Sequence, residues 1–169
     1  MKITFPILLV AMVATTVLSA QNDKSQRPSP PATATATVDG KTITIDYSQP
    51  SVKGRKVWGG LAPYGEVWRT GANESTTIDL SADVEVEGQK LAKGKYALFT
   101  IPGEKEWVII VNKGIAWGAY SYKAADDMLR ATVTPKASAV FHEKFTIEIS
   151  PEGVVSLFWE NLEVGFKVK

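Results

Sequence analysis

From Ala32 onward the chain alternates at a period of two, the spacing of a half-buried β-strand. Thr33 to Val38 alternates Thr with Ala or Val, and Asp39-Gly40 follows. That pair predicts a two-residue hairpin, because a type I′ turn needs positive φ at both central positions. Ile43, Ile45 and Tyr47 then share one face, with Thr42, Thr44 and Asp46 on the other. Thr76 to Leu80 reads as a short strand. Val84 to Val86 returns through Glu87-Gly88 to Leu91, which sets Glu85 opposite Lys90. Lys95 to Ile101 and Trp107 to Asn112 flank Pro102-Gly103 and are apolar on both faces, so they belong in the middle of the core. Phe141 to Ile149 turns at Glu152-Gly153 into Val154 to Trp159, and Val164, Phe166 and Val168 alternate in a last strand. Only Lys123 to Leu129 reads as helical. The expected fold is all-β: an antiparallel β-sandwich, or a partly open barrel, of about ten strands.

The N-terminus has a different pattern. Met1-Lys2 precedes an apolar run from Ile7 to Leu18, and Ser19-Ala20 supplies small residues for cleavage. Residues 1–20 therefore read as a secretory signal peptide, too short for a membrane span. The chain has no cysteine, so it has no lipid-anchor Cys, no disulfide and no thiolate chemistry. The expected location is the periplasm or outside the cell, with no membrane insertion after cleavage. Residues 21–31, ending Pro28-Ser29-Pro30-Pro31, read as a Pro-rich linker. Residues 32–169 read as one domain.

Charge and composition narrow the function. Nineteen Lys and Arg face eighteen Asp and Glu. That balance argues against a nucleic-acid partner, which calls for a basic excess. A single histidine excludes a multi-His metal site. His142 is the one base open to a Ser-His-Asp hydrolase. In a strand it shares a face with Lys144, opposite Phe141 and Phe145, so the imidazole should point to solvent. No Gly-x-Ser-x-Gly elbow is present to offer a nucleophile. No calcium-loop or phosphate-loop motif occurs either, and no cofactor is implied. Glu66, Glu74, Asp46 and Asp79 are the carboxylates from which a hydrolytic pair would have to come. Such a pair needs a separation of about 5–9.5 Å, which spacing in sequence does not test.

The segment from Gln49 to Asn73 does not alternate. A connection longer than about 15 residues is uncommon in a compact domain and is often functional. This one is rich in Gly, Trp and Arg. Trp58, Tyr64 and Trp68 offer flat faces to stack on a sugar ring. Arg55 and Arg69 offer forked donors to a carboxylate, phosphate or sulfate. Asn73 and Glu74 complete a candidate ligand site. Two other readings stay open. In one, Trp58, Leu61, Tyr64 and Trp68 cap the end of the sandwich while Arg69 pairs with Glu74 or Glu66. In the other, carboxylates or a bound metal in the same loop make a hydrolase. Lys113 to Lys123, with Trp117, Gly118, Tyr120 and Tyr122, is a second non-strand segment expected to pack beside the first.

Several stretches together carry a family resemblance. They are Arg27-Pro28-Ser29-Pro30, Tyr47-Ser48-Gln49-Pro50-Ser51-Val52-Lys53-Gly54-Arg55, and Pro63-Tyr64-Gly65-Glu66-Val67-Trp68-Arg69-Thr70-Gly71-Ala72-Asn73-Glu74. Lys93 to Gly103, the Trp107 strand and Trp117-Gly118 join them. The chain resembles the bacterial domain-of-unknown-function family 2911 over nearly all of its predicted mature length. The resemblance implies a secreted bacterial domain and no activity. The expected function is therefore a non-catalytic binding module for a glycan or small anionic ligand, or an envelope interaction domain with an unspecified protein partner. The hydrolase is the alternative.

Overall fold

A computed structural model describes residues 23–169, so the signal-peptide reading of residues 1–20 lies outside the described residues. The alternation predicted from sequence becomes two antiparallel layers. The first is a six-stranded sheet. It contains β1 (Pro31–Val38), β2 (Lys41–Ser48), β3 (Thr77–Leu80), β6 (Gly94–Ile101), β7 (Trp107–Asn112) and β8 (Asp127–Val133), in the order β1-β2-β3-β6-β7-β8. The second is built on β9 (Lys136–Ile149) and β10 (Val154–Lys167). Two further pieces widen it. The hairpin of β4 (Val84–Val86) and β5 (Gln89–Leu91) lies along the end of β10, with Glu85 N–H donating to Lys169 O at 2.8 Å. On the other side, Val52 N–H donates to Glu143 O at 2.8 Å, and Phe145 N–H to Pro50 O at 2.9 Å. The long loop thus begins with a single antiparallel bridge, Ser51 to Lys144, on the edge of the second sheet. The sheets do not close into a barrel; the fold is a β-sandwich.

The turns follow their chemistry. Asp39-Gly40 and Glu87-Gly88 both have positive φ at both positions, as a type I′ hairpin requires. Glu85 pairs with Lys90 across the second of these. Ile43, Ile45, Ile78, Leu98, Ile109, Val111, Phe145, Leu157 and Phe166 fill the space between the layers. β6 and β7 are buried on both faces. Their outer face carries Ala97, Phe99 and Ile110 under Val67 and Tyr122, so the loops cover what the sandwich leaves exposed.

Two expectations are corrected. Lys123 to Leu129 is not a helix. A single 3-10 turn, Ala124–Asp126, leads directly into β8. Asn112 captures the Lys123 carbonyl through Nδ2 at 2.9 Å, and Lys113 N–H takes Asp126 O at 2.9 Å, so the backbone bonds outward instead of up a helix. Leu129 and Ala131 then turn inward at a period of two. The last two predicted strands are one. β10 runs unbroken from Val154 to Lys167 and bends at Glu160, whose φ is 52°.

Candidate functional site

The loop from Gln49 to Glu74 is held over the end of the sandwich by backbone pairing and aromatic burial. Trp68 N–H donates to Thr100 O at 2.7 Å, and Thr100 N–H returns to Trp68 O at 3.0 Å. Thr70, fully buried, has φ 56°, uncommon for a β-branched residue. Its strain is held by neighbours. Its Oγ1 donates to Thr100 Oγ1 at 3.1 Å, and Thr76 Oγ1 donates to Thr70 O at 2.7 Å. Gly71 follows at φ 149°, where a Cβ would stand 3.0 Å from Ser48 O. This pair of unusual conformations reverses the chain and sends Ala72 and Asn73 back along the loop.

Four tryptophans meet beneath the loop. Trp68 stacks on Trp159 with ring centres 5.8 Å apart, and Trp58 sets its edge against Trp107 at 5.2 Å and Trp159 at 5.7 Å. Trp68 is 6% exposed and Trp159 2%, so neither offers an open face. Trp58 is half-buried in the same cluster. These rings are packing, as the capping reading expected of Trp58 and Trp68. Tyr64 is 41% exposed and lies over Gly59.

Above the cluster is an open cleft of about 250 Å³, lined mainly by Arg55, Arg69, Asn73, Trp68, Trp159 and Leu61. Arg55 is anchored by backbone carbonyls: Nη2 donates to Ser51 O at 2.6 Å and Nε to Val52 O at 3.2 Å. Arg69 donates from Nη1 to Asn73 O at 3.1 Å. Asn73 donates from Nδ2 to Ser29 O at 2.9 Å, which fixes the N-terminal segment as one wall. Among the described residues neither arginine has a carboxylate within ion-pair distance, and no Asp or Glu lines the cleft. Both guanidiniums are held by neutral carbonyls and not by a counter-charge.

The expected partnership of Arg69 with Glu74 or Glu66 is not what forms. Glu74 turns to the other side of the loop. Arg27 Nη1 donates to its two carboxylate oxygens at 2.9 and 3.0 Å, and Lys24 Nζ approaches at 3.1 Å. Partial burial alone would push the Glu74 carboxyl up, but the donors from Arg27 and Lys24 outweigh it and hold it at about 2. The cleft thus gathers Arg55, Trp68, Arg69 and Asn73, and does not include Trp58, Tyr64 or Glu74. Sequence reasoning missed Ser29 and Trp159 as lining residues. Trp159 carried a signal, since it stands two residues from Leu157 on an inward-facing alternation.

The second loop packs beside the first, as expected. Ser75 Oγ donates to Ala116 O, and Gly118 lies against the Arg69 guanidinium. His142 keeps the outer face expected of it, opposite buried Phe145, but is partly covered there. It is half-buried, stacks on Phe158 at 4.8 Å, and its Nε2 lies 3.2 Å from Ser138 Oγ. Phe158 alternates with the buried Leu157 and Trp159, so this stack lies on the outer face of the second sheet.

These features define a β-sandwich with a cationic cleft at one end. The chain matches the family model described as "Protein of unknown function (DUF2911)" over residues 29–168, and it belongs to that family. No curated protein and no solved structure matches it.

Proposed function

We propose that the protein is a non-catalytic binding module for a small anionic ligand held in the cleft between Arg55 and Arg69. The observation that carries this reading is the pair of guanidiniums in one cleft, each fixed by carbonyls and neither neutralised by a carboxylate. A guanidinium fork suits a carboxylate, phosphate or sulfate oxygen pair. The burial of Trp68 and Trp159 favours an anion over a glycan, because sugar stacking needs an accessible ring face. The lining holds guanidinium, amide and indole groups and no acid, which supports recognition over carboxylate-driven hydrolysis. The apolar run of residues 1–20, read as a secretory leader, supports action in the periplasm or outside the cell, where an envelope partner carrying such an anion would also meet the site.

A thermal-shift panel tests the proposal with small carboxylates, phosphate, sulfate, oligosaccharides and divalent metals. A ligand at a hundred times its dissociation constant adds about 2.7 kcal/mol. At this chain length that raises the midpoint by about 5–10 °C. The expected result is a shift from an anion class that disappears in a folded Arg69→Ala variant. No shift from any anion, or one that persists in both Arg55→Ala and Arg69→Ala, overturns it.

A further inference from the structure

β1 is the outer strand of the six-stranded sheet. Its two-residue turn makes Val38 and Lys41 a mutually hydrogen-bonded pair, and in an antiparallel ladder bonded and non-bonded pairs alternate. Ala32, Ala34, Ala36 and Val38 therefore direct their N–H and C=O to β2. Thr33, Thr35 and Thr37 direct theirs away from the sheet. The bond from Gln49 N–H to Pro30 O, at 2.9 Å, has the same parity. Among the described residues no group takes up the outward N–H and C=O of these three threonines, all of which are exposed.

Proteins guard such edges with charge, bulges, short strands or cover. Among the described residues the other edges carry such guards along at least part of their length. β8 carries Asp127 and Arg130, and Gln89 Nε2 caps its Arg130 carbonyl at 2.7 Å. β5 is three residues long with Lys90 at its centre. β9 is bridged at Glu143 to Phe145 by Pro50 and Val52, and it carries Lys136, Glu143, Lys144 and Glu148 along its length. β1 alone runs eight residues, Pro31–Val38, with no charge and no register break, and only its first residue is a proline.

We infer that the edge of β1 pairs with β1 of a second copy, antiparallel about a two-fold axis at Thr35, so that one sheet runs through both molecules. In that register Thr35 faces its own counterpart and Thr33 faces Thr37 of the second copy. All outward backbone groups are then bonded. Threonines oppose threonines on one face, a favourable cross-strand pair, and alanines meet small residues on the other. No like charges meet. A foreign strand would find no pockets here, because Thr and Ala side chains build none, and side-chain pockets are what give strand addition its selectivity.

Sedimentation equilibrium tests this on the purified chain across a concentration series reaching about 100 µM, a range that detects even weak association. The expected result is a dimer that Thr35→Pro converts to monomer with the thermal melt retained. The substitution removes an N–H that the monomer does not use, together with the hydroxyl contacts to Ile43 O and Thr44 Oγ1 at 3.2 and 3.1 Å, and edge strands accept proline there. Thr35→Lys covers the case in which the proline variant fails to fold. It sets two cations against each other, so the dimer should weaken and recover as salt screens them. A wild-type chain that stays monomeric throughout, or a dimer that survives both substitutions, overturns the inference.

Discussion

The Cα of Gly118 lies directly against the guanidinium of Arg69. A Cβ at Gly118 would stand 3.1 Å from Nη1 and 3.2 Å from Cζ, and its φ of 66° is one that side chains rarely adopt. Two loops far apart in sequence thus fix the orientation of one cation. With ψ at −174° the backbone is in a region essentially restricted to glycine, so Gly118→Ala should displace the guanidinium and cost about 1–3 kcal/mol in backbone strain. Anion-induced thermal shifts should fall more than the ligand-free midpoint does. A variant with undiminished anion response would separate Gly118 from the site.

Arg27 and Glu74 clamp the N-terminal segment to the loop, and their pH dependence has a definite sign. The folded carboxyl sits at about 2 against an ordinary value of 4.5. A depressed folded value contributes stability that is fully present above the ordinary value and is lost as pH falls towards the folded one. The stability difference between the wild type and Arg27→Ala should therefore be present above pH 4.5 and vanish by about pH 2. Glu74 is more than a third exposed, so the solvent-screened contribution is about 1 kcal/mol or less. Urea titrations at pH 7 and pH 2 measure it. A difference that grows in acid would contradict the assignment.

The strands were legible because burial is written at a period of two. Ile43-Ile45-Tyr47 and Phe145-Ile147 each place one side chain in every two against the opposite layer. The hairpins were legible because Asp39-Gly40 and Glu87-Gly88 need φ values that few other pairs supply. The region Lys123 to Leu129 misled because Ala-rich propensity is a weak signal. Tertiary hydrogen bonds from Asn112 and Lys113 overrode it. The loop was legible as a place but not as a geometry. Nothing in Arg69 to Glu74 says that Glu74 faces Arg27, because that pairing depends on the reversal at Thr70 and Gly71. Trp159 joins the cleft through contacts between the layers, which local sequence does not encode.

The tryptophan cluster carries an opposition between packing and polar burial. The indole Nε1 atoms of Trp58, Trp107 and Trp159 are buried with no hydrogen-bond partner among the described residues. An unpaired buried donor costs about 1–3 kcal/mol. Trp159→Phe removes that donor and keeps an aromatic ring against Trp58 and Trp68. The lost contact area acts in the opposite direction, at about 25 cal/mol per Å² of apolar surface. The two terms nearly offset, so stability should change by no more than about 1 kcal/mol. Trp68→Ala has no such compensation. It deletes the ring stacked on Trp159 and touching Phe145, and should cost about 3–5 kcal/mol. Equilibrium denaturation of both variants compares the terms. If Trp159→Phe were as damaging as Trp68→Ala, the cavity left by the smaller ring would outweigh the relieved donor, and the expected offset would be wrong.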